Sequence, residues 1–370
     1  MKATPDRRNF IKLAVAGTLG SKFLFSGSTM AKESMMIKDA VEDVPKLKLS
    51  AQIKAPFLDE DLKFIQQLWV EYITTWVRTP EAATFENYRA LCEKAESNSL
   101  KVATIGNSLV HNMEEVTLNL PGRDRKIEEY LQNLRNLGRA GIHTTVYSHM
   151  ATGVTSSKRE TTRGGASSRA FETGKREEKE SYSFKTFTHD RLYTEDKLWE
   201  NYEYFIRQVA PVAEEYKVKI AMHPEDPPGL TLGNVPRCIF SSFDGYKRAI
   251  ETANSDYIGM CLCCGCVLEA GESWGKDILE TIKYFGPRRK IHKVHFRNVN
   301  QPLPHFVETF IDGGYYDMYK ITKALREEDA DCFIIADHWP DMVGGTMTGC
   351  AFTMGYIKAL LERANEEVGG

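Results

Sequence analysis

From about residue 58 onward, short apolar runs alternate with longer stretches whose apolar positions recur every three or four residues. The runs are rich in β-branched and aromatic residues. They fall at Leu68–Thr74, Lys101–Ile105, His143–Met150, Lys217–Met222, Tyr257–Leu262, Ile291–Phe296, Phe306–Ile311 and Cys332–Ala336. Runs of this length and composition predict buried strands. Helical spacing lies between them at Arg125–Leu137, Leu198–Tyr216, Phe243–Ala253, Lys276–Phe285 and Tyr316–Leu325, and a last helix is predicted from Gly345 to Asn365. Eight strands alternating with helices predict an α/β fold, a closed (β/α)8 TIM barrel over residues 58–370. The alternative is an open doubly wound sheet, but no Gly-x-Gly-x-x-Gly turn follows a strand to support it.

The N-terminus departs from this rhythm. Asp6-Arg7-Arg8-Asn9-Phe10-Ile11-Lys12 precedes an apolar run of small residues from Leu13 to Phe25. Paired arginines, a short weakly apolar middle and small residues near Ala31 predict a twin-arginine export signal over residues 1–31. The expected partner is the twin-arginine translocase, and the expected location is periplasmic or otherwise extracytoplasmic. The run is shorter than the ~20 residues a membrane span needs. No cysteine follows it, so no membrane or lipid anchor is expected. Residues 32–57 are polar and aperiodic and are expected to form a linker or extended arm.

Composition adds bounds rather than identity. Hydrophobic residues make up 42% of the 370 and charged residues 27%, as in a globular protein with a large core. The formal net charge of −3 gives no nucleic-acid footprint, and losing residues 1–31 leaves the remainder more acidic. Assembly into a homo-oligomer is compatible with these numbers. The eight cysteines include four in Cys261-Leu262-Cys263-Cys264-Gly265-Cys266. Three readings stand: one metal ligand with the others packing, a disulfide among them, or a cluster or soft metal. The long polar connection 151–195 follows a strand, so it is expected on the catalytic face of a barrel, either with its arginines paired to a substrate carboxylate or as a solvated loop.

Strand C-terminal ends converge in a barrel, and four of them carry metal-type ligands. These are His223 in Ala221-Met222-His223-Pro224-Glu225-Asp226, Cys261 after Gly259-Met260, His295 in Val294-His295-Phe296-Arg297, and Asp337 in Ile335-Ala336-Asp337-His338. Each alone reads equally well as a packed or hydrogen-bonded residue. Together, two imidazoles, a thiolate and a carboxylate suit a divalent first-row ion. Arg297 is a candidate carboxylate clamp or a rim ion pair. His338 is a candidate acid or base, or a group that orients Asp337. Glu225 and Asp226 read as supporting partners or as a turn held by Pro227 and Pro228.

The segment His223-Pro224-Glu225-Asp226-Pro227-Pro228 resembles the His-Pro-Asp-Asp-Pro-Pro segment of mannonate dehydratases. The resemblance continues through Met260-Cys261, Phe285-Gly286-Pro287-Arg288, His295-Phe296-Arg297, Asp317-Met318-Tyr319 and Asp337-His338, and covers roughly residues 58–366. It implies a xylose-isomerase-like barrel with His223, Cys261, His295 and Asp337 on a divalent cation, most simply Mn2+ or Fe2+. It also implies Asp337, His338 and Arg297 at the substrate site. The implied reaction is loss of water from D-mannonate, a sugar acid, giving 2-keto-3-deoxygluconate. Departures from the family pattern stand at Cys263-Cys264, Thr75–Pro80, Gly153–Ser156 and Gly349-Cys350-Ala351. An exported metal-dependent isomerase, epimerase or lyase on another sugar is the alternative, and a sugar-binding protein without turnover is the third reading.

Overall fold

The computed structural model describes residues 46–151, 153–175, 193–232 and 235–369. The expected export signal, the first part of the expected arm and residues 176–192 of the long connection lie outside the described residues. The eight strands of the main sheet are β1 (Leu47–Gln52), β2 (Tyr72–Val77), β3 (Lys101–Asn107), β4 (Thr144–Ser148), β5 (Lys219–His223), β6 (Ile258–Cys263), β7 (Ile291–His295) and β8 (Cys332–Ile335). Hydrogen-bonded neighbours run β3-β2-β1-β8-β7-β6-β5-β4, and every ladder is parallel. The two end strands lie side by side, and the Thr145 hydroxyl donates to the Ile105 carbonyl at 2.8 Å, so the sheet rolls into a barrel.

One principal helix follows each strand: α1 (Asp59–Gln67), α2 (Phe85–Glu96), α3 (Arg123–Ala140), α4 (Glu195–Glu215), α5 (Phe243–Ala253), α6 (Ile278–Phe285), α7 (Met318–Glu327) and α8 (Thr346–Val368). Their starts are written in the sequence. Thr84, Thr194 and Ser242 accept from the backbone N–H of Asn87, Lys197 and Gly245, and Asp277 caps α6 with Glu280 returning the bond. The main core fills the layer between the strands' outer faces and the helices. A smaller cluster of Val146, Ala221 and Cys261, with Trp76 against it, fills the interior of the barrel. No helix among the described residues is long and apolar enough to cross a membrane.

The expected barrel is present, with two corrections to its strands. Leu47–Gln52, inside the expected arm at 32–57, is the first barrel strand. Its polar residues hid it: Ser50 is fully buried, yet its hydroxyl is satisfied by Thr74 Oγ1 at 2.9 Å, which a hydropathy pattern does not register. The run Phe306–Ile311 is not a barrel strand. His305–Val307 pairs antiparallel with Ala170–Glu172, so the connections after β7 and β4 zip together. The count of eight stands with one member exchanged, and His223, Cys261 and His295 move to the fifth, sixth and seventh strands. The second strand begins at Tyr72 rather than Leu68, because Trp69 is exposed with φ at 57° and turns the chain.

Candidate metal centre

Side chains of a strand alternate between faces, so Cys261 and Cys263 on β6 both point inward. Register sets their depth: Cys263 lies opposite His295 of β7, and Cys261 lies opposite Lys293, one pleat deeper. The donor atoms of His223, Cys261 and His295 lie within 4.8 Å of one another. Those of Cys263, His295 and Asp337 do so as well, as do those of His223, Cys263 and Cys266. The four expected ligands therefore converge, but Asp337 joins through Cys263 and His295 rather than through Cys261. The Nδ1 of His295 is 3.4 Å from Asp337 Oδ1.

The arrangement fits a divalent cation. The Nδ1 of His223 meets the Pro224 carbonyl at 2.8 Å, which assigns the proton to Nδ1 and leaves the Nε2 lone pair for a metal. His295 is 6% exposed, and neither ring nitrogen has a hydrogen-bond partner among the described residues. Buried polar atoms left unpaired cost ~1–3 kcal/mol each, a cost a bound cation removes. Burial also keeps His295 neutral, the form that ligates. Burial alone raises a thiol's pKa, but Cys266, the Arg297 cation and the two imidazoles outweigh it and hold Cys263 well below the usual range. Asp337 likewise stays ionised despite burial, because His295, His338 and Arg297 surround it.

Beside these ligands lies a buried ionic layer. Arg297, 2% exposed, donates from Nε to Asp337 at 3.0 Å and from Nη2 to Asp226 at 3.0 Å, and it pairs with Glu269 and Glu308. Arg169 joins Asp226 at 2.5 Å and Glu308 at 3.0 Å. His338 Nδ1 meets Glu308 at 2.9 Å, and its ring is 41% exposed. Burial works against its charge, but Asp337 and Glu308 prevail and push His338 up to about 9. Glu269 is pushed up to about 7 chiefly by burial, with Arg297 opposing.

Two expectations about arginines change. Arg297 stands next to the ligands, but its donors are taken by the chain's own carboxylates, so it has no free fork to clamp a substrate. The described arginines of the long connection are also occupied, Arg159 by Asp341, Arg163 by Asp312 and Arg169 by Asp226 and Glu308. All eight cysteines are buried free thiols. The sequence reading placed Cys263 among packing residues, although its spacing of two from Cys261 marks the same face. It missed Glu269, Glu308 and Lys293, and it expected Arg169 to meet a substrate rather than Asp226 and Glu308. Lys293 was legible as the residue two before His295 and therefore inward-facing. Its Nζ is fully buried without a hydrogen-bond partner among the described residues.

Known proteins converge on the same reading. The family model described as D-mannonate dehydratase (UxuA) matches residues 61–186 and 173–365. The mannonate dehydratase of Thermotoga maritima is 31% identical over 288 residues, which are 70% of this chain and 78% of that protein. That of Oceanobacillus iheyensis is 29% identical over 280 residues, 69% and 77% of the two chains. The solved mannonate dehydratase of Streptococcus suis serotype 2 superposes with a TM-score of 0.76 at 26% identity, covering 87% of this chain and 95% of that one. An L-ribulose 3-epimerase superposes with a TM-score of 0.58 at 13% identity, a likeness of fold alone. With most of its length matched by one family model and a relative 31% identical across seven-tenths of it, this chain belongs to the D-mannonate dehydratase family.

Proposed function

We propose that this chain converts D-mannonate to 2-keto-3-deoxygluconate and water at a divalent first-row cation such as Fe2+ or Mn2+. The observation that carries the proposal is the convergence, at one end of the barrel, of His223, Cys263, His295 and Asp337 in a chain of this family. Those four residues would hold the ion, with Cys261 one pleat below. A cation bound there supplies Lewis-acid polarisation of the substrate's carboxylate and hydroxyl oxygens. His338 faces the mouth of the site and carries a proton at neutral pH, so it protonates the departing hydroxyl. Glu308 fixes its ring through Nδ1, and the ring's Nε2 lies 3.9 Å from Asp337 Oδ1. Asp337 keeps its charge and its place through Arg297. The proton beside the carboxylate passes to the ionised Asp337, the neighbouring hydroxyl leaves as water with the proton from His338, and the enol that remains takes up a solvent proton to become the keto acid. Turnover in heavy water with NMR detection tests this. The proposal expects 2-keto-3-deoxygluconate carrying deuterium at carbon three, and unreacted D-mannonate with the metal-loaded protein refutes it.

We also propose that the folded chain is exported through the segment containing Arg7 and Arg8. Cell fractionation of an Arg7→Lys, Arg8→Lys variant tests this, with retention in the cytoplasm expected and unchanged export against it.

A further inference from the structure

Cys263 and Cys266 bracket the first turn of the short helix Cys264–Ala270, and both are buried. We propose that Cys266 is a second sulfur ligand of the same cation, so that the centre presents two thiolates and prefers thiophilic ions such as Zn2+, Co2+ or Fe2+ over Mn2+. This rests on the metal centre of the preceding section and goes beyond it in the donor set.

The placement carries the argument. The donor atoms of His223, Cys263 and Cys266 lie within 4.8 Å of one another, so Cys266 shares two members, His223 and Cys263, with the ligand group. Two cysteines separated by two residues at the start of a helix form the usual thiolate half of a tetrahedral site. Cys266 also stands within 4.8 Å of Asp226 and Glu269. That second grouping needs no cation, because Arg297 bonds both carboxylates and Arg169 bonds Asp226 as well. The ligand side, by contrast, holds His295 nine-tenths buried, with neither ring nitrogen hydrogen-bonded among the described residues.

The direction of Cys266 is fixed by its neighbours. Arg297 Nη2 donates to Cys266 Sγ at 3.3 Å, which holds the sulfur in place beside Cys263 while leaving other sulfur lone pairs for the ion. Gly265 makes this approach feasible, since a Cβ there would stand 2.3 Å from Arg297 Nη1. The turn is thus pressed onto the guanidinium, with its two sulfurs on the ligand side. Thiolates favour Zn2+, Co2+ and Fe2+, whereas Mn2+ favours oxygen donors.

X-ray absorption on the zinc-loaded full chain tests the donor set directly. The proposal expects two sulfurs at about 2.3 Å in the wild type and in Cys261→Ser, and one in Cys266→Ser or Cys266→Ala. Circular dichroism confirms that each variant folds, and the two replacements at 266 cover a failure of either. Zinc is expected to lose ~10–100-fold of its advantage over manganese in the 266 variants, read by competition with a chelator. A single sulfur in the wild type, an unchanged count in both 266 variants, or a Cys263–Cys266 disulfide in the loaded protein overturns the proposal. If the wild type binds a cation through one sulfur and still dehydrates D-mannonate, the assignment of Cys266 fails alone. If it binds no cation, the proposed function fails with it.

Discussion

Asp337 adopts a left-handed backbone conformation, φ 63°, that costs a non-glycine residue ~1 kcal/mol or more. The strain is held by Arg297, whose Nε binds Asp337 at 3.0 Å, and it aims the carboxylate back toward His295. His223, His295 and Asp337 were legible in the sequence because each closes or follows an apolar run. Cys263 was less so, since choosing between inward cysteines at 261 and 263 needs the strand register. Glu308 gave no usable signal, as its surroundings read as a strand. At His338 the account makes a kinetic prediction: His338→Gln lowers kcat by ~10²–10⁴-fold while metal content and KM stay near wild type. Steady-state kinetics with metal analysis checks it, and an unchanged kcat contradicts it. Lys293 makes a stability prediction. Its amine is fully buried without a hydrogen-bond partner among the described residues, and burial pushes its pKa down. Replacing an unpaired buried polar group with an apolar one of similar length is stabilising, so Lys293→Met should gain ~1–3 kcal/mol in urea denaturation.

At the scale of elements, the alternation of strand and helix was readable because parallel strands covered on both faces are nearly continuous apolar runs. Two elements escaped for opposite reasons. β1 is partly polar, with its buried hydroxyl paired. Phe306–Ile311 is apolar because it begins within a buried cap, not because it lies in the barrel. That cap is the antiparallel pair Ala170–Glu172 with His305–Val307. Arg169 pins it by reaching Asp226 and Glu308 from one side and the Thr155 carbonyl at 3.0 Å from the other. Removing one partner of a buried ion network leaves charges uncompensated, so Arg169→Met should cost ~3–5 kcal/mol. Hydrogen exchange should rise first in residues 153–175, because these lose their anchor to the barrel. Uniform exchange across the whole barrel would contradict a local anchoring role.

For the whole molecule, histidines buried in the core couple stability to pH. His149 and His292 are buried, and burial pushes each from the ordinary 6.5 down to about 3. The unfolded chain binds protons at both below 6.5, and the folded chain does not until about 3. Stability is therefore full above 6.5 and falls as pH drops toward 3. Urea midpoints measured across that range should decline steadily, and replacing His149 with Gln should flatten part of the slope. A flat profile would contradict the buried neutral state.

The central claim is that strand ends far apart in the chain hold one cation, and metal content tests it most directly. Purified wild-type chain, loaded with a divalent ion and dialysed, should retain one ion per chain by elemental analysis. His295→Ala and Asp337→Asn, each folded by circular dichroism, should lose it. Retention of the full complement by either variant would contradict the account.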